Sequence, residues 1–87
     1  MNYKIELSTD SEKYLRKLDK PTRVRILNHL KILTENPKHS ELDIKKIQGR
    51  PNLYRLRVGT YRILYTIKDD ILVVFVFTVG PRGDVYK

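Results

Sequence analysis

Apolar and polar residues alternate along this chain in two registers: every second residue near its ends, and every third or fourth residue between them. Tyr3-Lys4-Ile5-Glu6-Leu7 alternates strictly, which predicts a short strand with Tyr3, Ile5 and Leu7 inward. Thr9 and Glu12 then stand at capping-box spacing with acids around them, so a helix is expected from about Ser8 to Leu18, with Tyr14, Leu15 and Leu18 as its apolar stripe. Asp19-Lys20-Pro21 ends that helix and begins another, because aspartate caps and proline is accepted in a first helical turn. Val24, Leu27, Leu30 and Leu33, with Ile26, carry the second stripe to Asn36-Pro37, where the residue before proline leaves the helical region.

Residues 38 to 52 are polar and punctuated by Gly49 and Pro51, and read as a connection with a brief turn around Leu42 to Ile47. From Leu53 to Tyr65 apolar and basic residues alternate on both sides of Gly59, the pattern of a β-hairpin with two unlike faces. With Gly59-Thr60 as a type II′ turn, Val58 lies opposite Tyr61 and Arg57 opposite Arg62. Tyr54, Leu56, Val58, Tyr61, Ile63 and Tyr65 then share one face, and Arg55, Arg57 and Arg62 the other. Lys68-Asp69-Asp70 is a second turn, and Ile71 to Val79 is apolar on both faces, as a covered central strand would be. The expected architecture is α+β: a small βααβββ domain over residues 1–87, with two N-terminal antiparallel helices on one face of a largely antiparallel four-stranded sheet.

Composition narrows the chemistry. Eighty-seven residues suit one domain, and without cysteine there is no disulfide, thiolate zinc site or cysteine nucleophile. The longest apolar run, Ile71 to Phe77, is too short to span a bilayer, so a cytoplasmic chain without membrane contact is expected. Eighteen lysines and arginines against ten acids give a net charge of +8, the footprint of a nucleic-acid binder. Between Ile44 and Lys68 there are seven cations (Lys45, Lys46, Arg50, Arg55, Arg57, Arg62 and Lys68) and no acid. Three arginines on one strand face weaken a hairpin by cross-strand repulsion, so the face is either ordinary solvated surface or an anion site.

No Ser-His-Asp set, paired carboxylate, phosphate loop or metal-ligand cluster has sensible spacing, and His29 and His39 read as surface residues. What remains is Arg55, Arg57 and Arg62, with Arg82 beyond the long strand and Tyr86 four residues later. Guanidinium forks match phosphate and stay charged, so the cluster can hold a phosphodiester and stabilise charge as it is attacked, but arginine is a poor general base. RNA carries its own nucleophile in the 2′-hydroxyl, which makes it the better substrate for a site of this kind. Tyr86 reads equally well as an aromatic packed on the sheet edge.

Three blocks carry a resemblance: Lys46-Ile47-Gln48-Gly49, then the hairpin from Tyr54 to Tyr65, then Val79-Gly80-Pro81-Arg82-Gly83-Asp84-Val85-Tyr86. Their order and spacing resemble the RelE family within the RelE/ParE superfamily of toxins, along nearly the whole chain. The resemblance implies a RelE-like, microbial-ribonuclease-like fold and a ribosome-dependent mRNA endoribonuclease that cuts the codon in the ribosomal A site, without metal or other cofactor. It implies catalytic roles around the phosphate for Arg55, Arg57, Arg62, Arg82 and Tyr86, and RNA or ribosome contacts for Lys45, Lys46 and Arg50. A small acidic antitoxin is the implied partner, in a hetero-oligomeric complex. The chain departs from the family in having arginine where members often carry lysine at Arg55 or Arg57, and Pro81 where lysine or histidine is common. Two other readings share the fold: a ParE-like inhibitor of DNA gyrase, and a non-catalytic RNA- or ribosome-binding module.

Overall fold

The helices start where short polar side chains close their first turns. In this computed structural model, which describes residues 2–39 and 41–81, α1 spans Thr9–Lys17 and α2 spans Lys20–Glu35. The α1 cap is Ser8, one residue ahead of the expected capping box: its Oγ accepts from the Ser11 amide at 3.1 Å, while Glu12 pairs instead with Arg16. Asp19 caps α2, accepting from the Thr22 amide at 3.1 Å and the Thr22 hydroxyl at 2.8 Å. Those donors, the hydroxyl first, hold the Asp19 carboxyl below its usual range.

Five strands form one sheet: β1 (Lys4–Leu7), β2 (Ile44–Lys46), β3 (Leu53–Val58), β4 (Tyr61–Lys68) and β5 (Val73–Pro81), in the order β1-β5-β4-β3-β2. The expected sheet had four strands. The addition is β2, inside the segment read as a connection, and it pairs antiparallel with β3 through Ile44↔Leu56, Lys45↔Arg55 and Lys46↔Tyr54. β1 lies parallel to β5, and every other pairing is antiparallel. The last strand begins at Val73 rather than Ile71, which is exposed, because Leu72 turns the chain with a positive φ of 54°.

The core lies between the helices and one sheet face. Leu15, Ile26, Leu30 and Leu33 meet Tyr54, Leu56, Val58, Ile63, Tyr65, Val74, Val76 and Val79. On α2 the buried stripe is Ile26, Leu30 and Leu33, while Val24 and Leu27, expected in it, are 43% and 42% exposed. At 3.6 residues per turn Leu27 falls about 90° and Val24 about 150° from the centre of the stripe set by the other three, so neither reaches the core.

A bulge lets β5 keep both Val76 and Val79 inward: Tyr65 pairs with Val76 and Leu64 with Thr78, leaving Phe77 as the extra residue. Its carbonyl accepts from the Ser8 hydroxyl at 2.9 Å, so the cap of α1 also satisfies the bulge. Tyr65, fully buried, stacks on Tyr54 and donates its hydroxyl to the Pro37 carbonyl at 2.7 Å. Burial, then the neighbouring Tyr54, raises the Tyr65 phenol well above its ordinary value. That bond fixes the start of the loop leading from α2 into β2, and so helps place the site.

Candidate phosphate-binding site

The hairpin register forces the arginines together. β3 and β4 pair Arg57↔Arg62, Val58↔Tyr61 and Leu56↔Ile63, closing at Gly59 with φ 59° and Thr60 outside the positive-φ region, as a type II′ turn requires. With Tyr54, Leu56, Val58, Ile63 and Tyr65 committed to the core, Arg55, Arg57 and Arg62 occupy the sheet face away from the helices, together with buried Leu53 and Leu64.

The three are not equivalent. The Arg57 side chain is 49% exposed, Arg55 only 13%, and Arg62 is buried as a residue at 8%. An open arginine face was expected, so the burial of Arg62 is a correction: it lies between the β3 and β5 ladders, opposite Arg57 on one side and Gly80 on the other. Arg62 Nη1 and Arg55 Nε are both buried without a hydrogen-bond partner among the described residues. Buried unpaired donors on cations are unfavourable by about 1–3 kcal/mol or more each, and an anion accepting from them removes that penalty. This is the strongest local sign that the row is built to receive one.

Sequence reasoning missed one member of the cluster. Asp43 Oδ1 accepts from Arg55 Nη2 at 2.8 Å, Oδ2 takes the Arg57 Nε, and the Asp43 carbonyl accepts from the Arg57 amide at 2.9 Å. Asp43 stands one residue before the acid-free stretch, and the register of β2 sets it beside Arg57. With β2 unrecognised, no signal in the sequence put it there.

The remaining candidates divide by face. Lys45, paired with Arg55, falls on the arginine side, and Lys46, paired with Tyr54, falls on the other. Both still line a cavity of about 390 Å³ with Ile47, Gln48 and Arg55. Arg50 lies past β2 beside a depression of about 380 Å³ formed with Pro51, Leu53, Thr66, Phe75 and Phe77. Arg82 and Tyr86 lie outside the described residues. No His, Cys, Asp or Glu group among the described residues is arranged to hold a metal ion, and no described helix is long and apolar enough to cross a membrane.

The arrangement suits a phosphodiester: two guanidiniums from adjacent outward positions of β3, a third on β4 opposite Arg57, and a lysine on β2 opposite Arg55. Known proteins share this fold. The family model described as the ParE toxin of the type II toxin-antitoxin system parDE matches residues 5–86. The mRNA interferase toxin RelE of Escherichia coli is 32% identical over 91 residues, covering 100% of this chain and 93% of the relative. The archaeal RelE of the RelE-RelB complex from Pyrococcus horikoshii superposes with a TM-score of 0.84 at 30% identity, over 97% of this chain and 99% of that one. The intact Escherichia coli RelBE toxin-antitoxin complex gives 0.80 at 28% identity, over 93% and 98%.

Proposed function

The chain belongs to the RelE family of toxin-antitoxin toxins, and from that premise we propose that it is a ribosome-dependent endoribonuclease that cuts mRNA in the A site and so inhibits translation. The observation that carries the reading is the row Arg55, Arg57 and Arg62, with buried Arg62 holding an unpaired donor on the face opposite the helices. The relatives' names, mRNA interferase RelE and RelE in complex with RelB, support the substrate class and an antitoxin partner.

In this reading the guanidiniums seat the scissile phosphate, and the adjacent 2′-hydroxyl of the RNA attacks phosphorus. The new O2′–P bond replaces the P–O5′ bond, leaving a cyclic phosphate and a 5′-hydroxyl. The arginines favour the step because negative charge builds on the phosphoryl oxygens at the transition state, where fixed donors are most effective. The nucleophile comes from the substrate, so the reaction calls for no metal ion. Arg82 and Tyr86 are assigned to the same phosphate and to stacking on the mRNA, and Lys45, Lys46 and Arg50 to the flanking backbone. The antitoxin is read as a small acidic protein neutralising this basic chain, and the working compartment as the cytoplasm, where ribosomes are.

A ParE-type inhibitor of DNA gyrase is the second reading, favoured by the description of the matching family model. Inhibition by protein contact gives no reason to gather three guanidiniums on one sheet face with buried donors of Arg55 and Arg62 left unpaired. Incubation with mRNA-programmed ribosomes and mapping of the RNA ends separates the two: ribosome-dependent, codon-phased cuts support the ribonuclease, whereas intact mRNA with inhibited gyrase supports the alternative.

A further inference from the structure

Asp43 is the one carboxylate among the described residues paired with the arginine row, and it bridges two of its three members. Each carboxylate oxygen serves a different guanidinium: Oδ1 takes Arg55 Nη2, and Oδ2 takes Arg57 Nε. Two non-bridging phosphate oxygens would accept from the same pair of donors in the same way. The carboxylate is held in place by its own backbone, since the Arg57 amide donates to the Asp43 carbonyl at 2.9 Å. Its side chain is 40% exposed, so an incoming anion can reach it. Arg62, across the ladder from Arg57, makes no ion pair among the described residues, and its Nη1 is left without an acceptor.

The geometry points to Asp43 as a resident counter-ion: a positioning residue that orders Arg55 and Arg57 while occupying the donors that RNA phosphate uses. This inference rests on the phosphate-site reading above. It has two consequences in the free protein. Asp43 lowers the attraction of the site for RNA in general, because the three guanidiniums with one carboxylate present a net charge of +2 rather than +3. It also holds Arg55 and Arg57 in the arrangement that fits the phosphate before any anion arrives, where unpaired guanidiniums would repel one another. A substrate held by other contacts can displace the carboxylate, whereas free RNA must compete with it.

The test uses Asp43→Asn, which keeps the shape and removes the charge, and Asp43→Glu, which restores the charge. Binding is read by fluorescence anisotropy with a short single-stranded RNA, without ribosomes, across a salt series. Cleavage is read on programmed ribosomes at saturating protein. For Asp43→Asn the expected results are about three- to tenfold tighter RNA binding at low salt and a salt slope steeper by about one. Asp43→Glu returns both the affinity and the salt slope toward the wild type. Unchanged or weaker RNA binding overturns the inference. Lost cleavage with unchanged binding also overturns it, and would make Asp43 a proton acceptor instead.

A wild-type measurement stands in if Asp43→Asn does not fold. The Arg57 Nε proton should exchange slowly with water, and the Asp43 carboxyl carbon should shift when the same RNA is added. A fast-exchanging Arg57 proton, or an Asp43 signal indifferent to RNA, contradicts the inference. Failure of the wild type to cut programmed mRNA bears on the ribonuclease reading alone, because the binding comparison involves no cleavage.

Discussion

Arg57 and Arg62 face each other directly across the β3–β4 ladder, one half-exposed and ion-paired to Asp43, the other buried with an unpartnered Nη1. A directly opposed like-charge pair weakens a hairpin by roughly 0.2–1 kcal/mol, and a buried unpaired donor adds to that. Arg62→Met, which keeps much of the volume and removes the charge, should therefore leave stability unchanged or raise it by about 1 kcal/mol, a gain of roughly 4–8 °C in melting temperature. Thermal unfolding at low and high salt checks this: the gain should shrink as salt screens the repulsion in the wild type. A large loss of stability would make Arg62 structural.

Tyr65→Phe removes the phenol that donates to the Pro37 carbonyl and leaves that carbonyl without its partner. The expected loss is about 1–3 kcal/mol in chemical denaturation. The raised phenol of Tyr65 fixes the sign of the alkaline response. The unfolded chain releases this proton near its ordinary value of 10.0 and the folded chain holds it to higher pH. Stability from the buried neutral phenol is thus fully present below about pH 10 and lost as pH rises beyond it. Stability measured from pH 8 to 11 should fall less steeply for Tyr65→Phe than for the wild type.

Gly59→Ala should destabilise the hairpin by about 1–3 kcal/mol, because φ is +59° and the new Cβ would come 3.1 Å from Arg25 Nη1. Denaturant unfolding reads the loss. Adding Arg25→Ala removes the contact but not the positive φ, so the double variant should recover only part of it.

Ser8→Ala removes three roles at one position: the cap on α1, the donor to the Phe77 carbonyl and the partner of the buried Ser11 hydroxyl. A loss of about 2–3 kcal/mol is expected, more than a surface cap alone contributes. Hydrogen exchange should show faster opening of both the first turn of α1 and the β5 bulge. Faster exchange at α1 alone would mean that the bulge carbonyl does not depend on Ser8.

The hairpin was legible because alternation around Gly59 leaves one register that puts Tyr54, Leu56, Val58, Tyr61, Ile63 and Tyr65 on a single face, and that register places Arg57 opposite Arg62. The two helices were legible for the same reason, with Asp19 as a clear cap. β2 was not: Ile44, Lys45 and Lys46 are too few for a period to register, and two of the three are the lysines that suit an exposed edge strand. Missing β2 hid Asp43, because only the β2–β3 register brings that acid to Arg57. The parallel pairing of β1 with β5 was equally hidden, since alternation fixes which face a strand buries but not which strand lies beside it. The burial of Arg62 depends on strands on both sides of it, which no local pattern records.

The central claim is that the arginine row seats the phosphate that is cut, and single-turnover cleavage of mRNA on programmed ribosomes by Arg62→Ala tests it most directly. Folded Arg62→Ala protein at saturating concentration should cleave at least a hundredfold more slowly than the wild type, with Arg62→Lys recovering only part of the rate because an ammonium lacks the guanidinium fork. Cleavage by Arg62→Ala at the wild-type rate, from a variant that binds the ribosome normally, would contradict the account.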